Sequence, residues 1–160
     1  MTQQSPYRAP DSHVEDVPES GDRRFRWVAV MIGAAVDLGA TTLTGIVLVV
    51  VLSIGSQYAS VQDMLAALGR DWSFIMTSML LGGACTVLGG FTAGRLARHS
   101  FLTHALAAGL LSLVVGLLIF PPDDGPYAGI VALLGYGSHL PLAALGGRLA
   151  ARYEQHKKGA

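Results

Sequence analysis

Four apolar stretches, each long enough to cross a lipid bilayer as a helix, dominate this 160-residue chain. A helix needs roughly 20 mostly apolar residues to span the ~30 Å hydrocarbon core. Hydrophobic residues make up 51% of the chain and charged residues only 14%, which is too apolar for a soluble domain of this size. The sequence therefore predicts an all-α, four-span transmembrane helical bundle. Its predicted helices cover residues 27–54, 72–94, 101–120 and 127–150.

The segments outside these stretches predict two tails around one membrane domain. Residues 1–22 hold three prolines and five acids without any apolar period, which predicts a disordered cytoplasmic tail. The membrane domain then covers residues 23–152, and residues 153–160 form a second cytoplasmic tail. Between the first two helices, Ser60 and Asp63 have the spacing of a capping box, which predicts a short amphipathic helical segment.

The positive charges are distributed very unevenly between the two sides of the predicted bundle. If the N-terminus is cytoplasmic, only Arg70 of the eleven Lys and Arg residues lies outside. The positive-inside rule then predicts that both termini are cytoplasmic. Four arginines serve as anchors at the inner boundary, where the second and fourth helices end: Arg95, Arg98, Arg148 and Arg152.

The second and fourth helices end in similar sequences. Residues 93–97 match residues 146–150, and small residues further up, such as Gly90 and Ala143, match at the same spacing. One interpretation is a duplicated two-helix hairpin, which would be a parallel repeat because two helices separate the copies. The other is that any glycine-rich helix ending in a basic anchor looks like this. The sequence leaves both interpretations open.

Small residues recur at four-residue spacing on the same two helices. Such a strip is flat and lets another helix pack closely through van der Waals contact. Packing within the chain is the favoured interpretation, and an interface between copies is the alternative. The predicted helix-packing residues are Gly82, Thr86, Gly90, Gly94, Ala143 and Gly147.

Asp37 is the one ionisable residue of the first helix. It lies roughly 15 Å from the inner boundary, where a charge costs on the order of 3 kcal/mol on insertion scales. His139 is at a similar depth on the fourth helix, so the two residues could form a midplane polar pair. An Asp-His pair suits a proton relay, because histidine titrates near neutrality. A hydrogen bond that fixes helix register is favoured instead, with Thr41, Thr42 or Ser138 as further partners, since no second acid or path is visible in the sequence.

The remaining motifs give no support to an enzyme. No His, Glu or Cys set has metal-ligand spacing, and no serine, cysteine or aspartate lies in a nucleophile motif. Cys85 is the single cysteine. We expect no catalytic residue, metal, cofactor or nucleic-acid partner, and we expect the bilayer and a second copy or another membrane protein as partners.

Three short motifs, at residues 33–37, 89–95 and 104–109, resemble those of uncharacterised bacterial four-helix membrane proteins of unknown function. The resemblance covers about residues 27–152. It implies a multipass protein of the bacterial cytoplasmic membrane and brings no activity with it. The expected function is a structural or accessory membrane role, and the alternative is a proton-linked transporter or channel subunit that uses Asp37 and His139.

Overall fold

The computed structural model describes residues 25–54, 57–119 and 127–159, and these residues form helices without any strand. Four of the helices are long and apolar enough to cross a membrane. The all-α, four-span prediction is therefore confirmed, while the predicted tail at residues 1–22 lies outside the described residues. The helices are α1 Trp27–Ser53, α2 Val61–Leu68, α3 Trp72–Ala97, α4 Phe101–Ile119 and α5 Ala128–Gly159.

The ends of the helices follow local capping chemistry. The Ser60 hydroxyl accepts a hydrogen bond from the Asp63 amide at 3.1 Å and so caps the start of α2. It donates to the Asp63 carboxylate at 2.7 Å, so this carboxylate bonds the Ser60 hydroxyl where a full capping box would have it bond the Ser60 amide. Asp71 caps α3 by accepting a 2.8 Å bond from the Ser73 amide. Arg98 adopts a left-handed conformation (φ 62°), which ends α3 and lets the chain turn into α4.

The distribution of side chains is the inverse of that in a soluble protein. The buried hydrophobic positions are mainly alanines, with glycine, serine and threonine beside them. Large apolar residues point outward, for example Leu133 at 74% exposure and Leu118 at 79%. Small residues inside allow close helix approach, and leucines outside suit hydrocarbon. This distribution is that of a bundle surrounded by lipid.

The four long helices alternate in direction. α1 and α4 run one way, and α3 and α5 run the other way. α3 and α4 each pack against the other three long helices. α1 and α4 begin, and α3 ends, at one end of the bundle, which α5 also passes on its way to Gly159. We call this the basic end, and we call the opposite end, where α2 lies, the α2 end. All four predicted anchors are exposed at the basic end: Arg95, Arg98, Arg148 and Arg152.

The helices that run in the same direction contact each other at constant spacing. Thr86 faces His139, 53 positions further along the chain, and Gly90 faces Ala143 at the same spacing. In the other parallel pair, Asp37 contacts Ser112, 75 positions further along. This is the arrangement of two similar hairpins, α1 with α3 and α4 with α5, placed side by side. The two spacings differ because the connection after α1 is longer and contains α2.

The α3–α5 contact is closest toward the basic end. A Cβ atom at Gly90 would overlap the backbone carbonyl of Ala143, and one at Gly94 would lie 3.5 Å from the Gly147 Cα. These predicted packing residues therefore meet within the chain. Gly82 does not belong to this contact, because no atom lies within 4 Å of a Cβ built there. The two helices diverge toward the α2 end, so a residue on the same strip no longer reaches its partner helix.

Candidate functional site

Each long helix contributes one polar side chain to a single layer near the middle of the bundle. These are Asp37 from α1, Thr86 from α3, Ser112 from α4 and His139 from α5, which we call the polar layer. Each lies about ten residues along its helix from the basic end of the bundle, which α5 passes near Arg148, and this corresponds to a depth of roughly 15 Å. Asp37, Thr86 and Ser112 are buried, at 4%, 3% and 1% exposure. The two predicted site residues meet, since His139 Nε2 lies 3.2 Å from Asp37 Oδ2.

Ser112 bridges the pair on one side. Its Oγ donates to Asp37 Oδ2 at 2.6 Å and lies 2.9 Å from His139 Nε2. Because the single hydroxyl proton is used toward the carboxylate, His139 Nε2 must carry a proton to donate to this hydroxyl. The short distance to the carboxylate is typical of an O–H donor on a charged acceptor.

Thr86 bridges the pair on the opposite side of the imidazole ring. Its Oγ1 donates to Asp37 Oδ1 at 3.1 Å and lies 3.4 Å from His139 Nδ1. It also lies 3.2 Å from the Gly82 carbonyl one turn earlier. Thr86, predicted only as a packing residue, is therefore also a hydrogen-bond donor to the Asp37 carboxylate.

One distribution of protons over His139 and Asp37 lets every side chain of the polar layer form its hydrogen bonds. If both imidazole nitrogens carry a proton and the carboxylate carries none, each ring nitrogen donates to one hydroxyl and each hydroxyl donates to one carboxylate oxygen. The result is a closed ring of four side chains with no net charge. Removing one proton leaves a ring nitrogen and a hydroxyl facing each other without a donor between them, and it leaves a net negative charge among buried residues. The hydrogen bonds of this layer are therefore complete in one protonation state only.

The arrangement differs from a Ser-His-Asp catalytic triad. In a triad, the serine and the carboxylate contact opposite nitrogens of the histidine. Here Ser112 and Asp37 share Nε2 and also bond directly to each other, and Ser112 is buried. This geometry orients and neutralises a charged pair and does not generate a nucleophile.

A cavity of about 710 Å³ reaches the polar layer from the half of the bundle nearer the α2 end. It lies between the diverging first halves of α3 and α5, with Thr41 of α1 beside them. Thr86 and His139 belong to its lining, and Asp37 and Ser112 lie behind them. The walls are mostly apolar, formed by side chains that include Met76, Met79, Leu80, Leu134 and Leu142.

On the side of the layer toward the basic end, the helices pack without comparable space. A Cβ at Gly146 would overlap the Val87 carbonyl, and one at Gly33 would lie 2.5 Å from the Ala93 Cβ. The polar layer is thus reached by a cavity from one side and covered by close helix contacts on the other. His139 and Thr86 are therefore accessible from the cavity side of the layer.

The other predicted partners of Asp37 take different roles. Thr41 and Ser138 line the cavity, and the Ser138 hydroxyl donates to the Gly135 carbonyl at 3.3 Å. Thr42 is exposed on the outside of α1. Sequence reasoning did not select Ser112, although its distance along α4 places it at the depth of Asp37. Its depth alone could have indicated Ser112. However, α4 is almost entirely apolar, so its sequence does not show which side of the helix faces the bundle interior.

A buried histidine, His104, connects two helices at the basic end. His104 Nδ1 donates to the Ser100 carbonyl at 3.0 Å, and its Nε2 accepts a 3.0 Å bond from the Arg26 amide. The Phe25 ring stacks on it at a centroid distance of 4.6 Å. Both nitrogens are occupied by backbone groups, so His104 ties the start of α1 to α4 and acts as a structural residue.

At the same end, Arg95 lies 4.7 Å above the Tyr153 ring and 4.0 Å from the Glu154 carboxylate, which joins α3 to the extension of α5. Exposed ion pairs of this kind contribute little to stability. Among residues 25–54, 57–119 and 127–159, no three His, Cys, Asp or Glu side chains form a group that could hold a metal ion. The polar layer and its cavity are therefore the site with the clearest chemistry in the described chain.

No family model, curated protein or solved structure matches this chain.

Proposed function

We propose that this protein is a proton-linked membrane carrier in which the Asp37–His139 pair exchanges a proton with the cavity. The observation that carries the proposal is the closed ring of four side chains at the inner end of an apolar cavity. A polar pair used only to fix helix register needs no such cavity beside it. Ionisable residues within membrane spans are costly and commonly mark ion or substrate pathways.

Electrostatics supplies the coupling between proton and ligand. The layer is neutral when imidazolium faces carboxylate, and gain or loss of one proton leaves a unit charge near the midplane. Such a charge costs on the order of 3 kcal/mol on insertion scales. A ligand of opposite charge in the cavity offsets this cost, so ligand binding and proton binding change each other's affinity by the same factor.

A carrier also needs a second state in which the layer communicates with the basic end. The closest barrier is the α3–α5 contact around Gly90 and Ala143. Pro141 lies within α5 beside this contact and lacks the amide that would bond to the Gly137 carbonyl. A bend of α5 at this point separates it from α3 with few hydrogen bonds to break.

The charge distribution supports a definite orientation for this cycle. The positive-inside rule favours a basic end, N-terminus and C-terminus on the cytoplasmic side, and the cavity would then open toward the outer half of the membrane. We place the protein in the bacterial cytoplasmic membrane on the strength of the resemblance described above. A reporter fused after Gly159 would be active in the cytoplasm under this orientation and inactive under the reverse one.

The test is dissipation of a pH gradient in proteoliposomes containing a pH-sensitive dye. Three probes with the same eight-carbon chain are added in turn: octanesulfonate, octanol and octyltrimethylammonium. We expect at least one probe to accelerate proton flux with the wild-type protein and not with Asp37→Asn. Asp63→Asn, the same change at an exposed position of α2, is the control and should retain the flux.

Absence of protein-dependent flux with every probe would overturn the carrier proposal. The accessory role would then be the better account, with the polar layer as a helix-register contact. Equal flux from wild type and Asp37→Asn would also contradict it, because the carboxylate would not be the proton-exchanging group.

A further inference from the structure

The walls of the cavity and the group at its inner end together indicate what kind of molecule it takes. Among the described residues that line it there is no Asp, Glu, Lys or Arg. His139 is the described lining side chain that becomes a cation when both of its ring nitrogens carry a proton. Among these residues a full positive charge can come only from this imidazole, and the hydroxyl of Thr86 lies beside it; the hydroxyls of Thr41, Tyr136 and Ser138 line the same cavity.

The polar pair is oriented with its imidazole toward the cavity. The His139 side chain is 19% exposed, whereas that of Asp37 is 5% exposed and lies behind the imidazole and the two hydroxyls. A ligand in the cavity thus meets the imidazolium before the carboxylate. His139 is faced by Asp37 from α1, by Thr86 from α3 and by Ser112 from α4, and none of these adds a second charge on the cavity side.

The size and the apolar walls define the rest of the ligand. A volume of about 710 Å³ lies within the range of sites that enclose drug-sized molecules, roughly 300–1,000 Å³. Methionine and leucine side chains suit an aliphatic or aromatic body, and methionine adapts to irregular shapes. A fully polar anion would keep its hydration shell against these apolar walls and would gain nothing from contact with them.

We propose that the cavity binds an amphipathic monoanion, an apolar body bearing one carboxylate or sulfonate group, with its acidic group held by His139 and Thr86. That the anion is transported together with a proton rests on the proposed carrier function. That the anion binds in the cavity does not depend on it. With the anion beside the imidazolium, the charge of Asp37 is in excess, and one proton taken up by its carboxylate restores neutrality. The protonated Oδ1 then donates to the Thr86 hydroxyl, which frees the Thr86 proton to donate to the anion. One proton then accompanies one anion.

The test is direct binding of the three eight-carbon probes to the purified protein in lipid nanodiscs, measured by isothermal titration calorimetry. Sulfonate is a permanent anion, so its affinity does not depend on its own protonation. We expect octanesulfonate to bind about tenfold or more tightly than octanol and octyltrimethylammonium, because charge-assisted hydrogen bonds are stronger than neutral ones. In His139→Gln the affinity for octanesulfonate should fall to that for octanol, with octanol unchanged.

Two glycine variants test the location independently of His139. Gly82→Leu places a side chain in the cavity, where nothing lies within 4 Å of its Cβ, and should weaken binding of all three probes. Gly45→Leu adds the same side chain on exposed α1, also with nothing within 4 Å, and should change none.

Equal affinity for the three probes, with no effect of His139→Gln, would overturn the inference and identify the cavity as a groove for lipid chains. Tightest binding of octyltrimethylammonium would overturn it as well. Selective octanesulfonate binding without Asp37-dependent flux would retain the anion site and remove the carrier function. Asp37-dependent flux driven only by another probe would retain the carrier function and remove the anion site.

Discussion

The imidazole of His139 and the carboxylate of Asp37 lie 3.2 Å apart. Two hydroxyls also bridge them, that of Ser112 at one ring nitrogen and that of Thr86 at the other. Each of the four long helices supplies one member. The arrangement therefore exists only when all four helices are docked, and it links the docking of the bundle to the protonation of one site.

The first prediction concerns the stability of this pair. Asp37→Ala removes the acceptor of both hydroxyls and leaves His139 without its counter-ion, so the single variant should be destabilised by about 3 kcal/mol, at the low end for a broken buried pair. His139→Ala should act similarly. The double variant should be less destabilised than the sum of the two, because neither residue is left unpaired.

These free energies are measured by reversible unfolding in mixed micelles. Strict additivity of the two substitutions would contradict a direct interaction between the side chains. Asp63→Ala is a suitable reference, since the Asp63 carboxylate accepts a hydrogen bond from the Ser60 hydroxyl at the start of a short helix and is exposed outside the bundle interior.

The second prediction compares the same substitution at two glycines of α3. Gly90→Ala should lower thermal stability, because its Cβ would overlap the Ala143 carbonyl and force α3 and α5 apart. Gly82→Ala should leave stability unchanged or raise it slightly, since the added methyl group enters open space. Gly90→Leu should be worse than Gly90→Ala. The measurement is the melting profile in detergent followed by size-exclusion chromatography, and equal melting of the two alanine variants would contradict the α3–α5 contact.

The third prediction concerns water in the cavity. Ser138 lines the cavity, so Ser138→Cys in a Cys85→Ala background should react with a charged, water-soluble methanethiosulfonate reagent. Cys85 of the wild type should not react, because it is buried with its Sγ 3.7 Å from the Thr44 hydroxyl. Leu118→Cys, on the outer surface of α4, should also be inert, since thiols facing hydrocarbon do not ionise. Rapid labelling of the Leu118 variant and none at position 138 would contradict an aqueous cavity.

The fourth prediction concerns the basic end. His104→Ala removes the acceptor of the Arg26 amide and the ring on which Phe25 stacks, so the first turn of α1 should exchange its amide hydrogens faster. Thr103→Ala, a change at the exposed neighbouring position, is the control and should leave exchange unaltered. Hydrogen exchange followed by mass spectrometry distinguishes the two. Proton flux should survive in His104→Ala, because this histidine does not contact the polar layer.

Much of the fold could be predicted from residue order because membrane insertion is a local property. The length and apolarity of the stretch from Trp27 predict α1 within one residue of its observed end at Ser53. Proline did not end α5, however, and this helix continues past Arg152 to Gly159, beyond the segment that hydropathy alone delimits. Polar helical turns outside the lipid carry no hydrophobic signal, so their extent could not be read in this way.

Four spans, a basic end, and a carboxylate and an imidazole at equal depth can all be predicted from residue order, because hydropathy and the fixed rise of a helix depend on nothing else. The side of each helix that faces its neighbours depends instead on how the helices pack together. This packing placed Ser112 and Thr86 between the charged groups, brought Gly90 against Ala143, and left Gly82 at a cavity. Helix rotation and divergence depend on small residues meeting across α3 and α5, and a contact between distant segments leaves no trace in either segment alone.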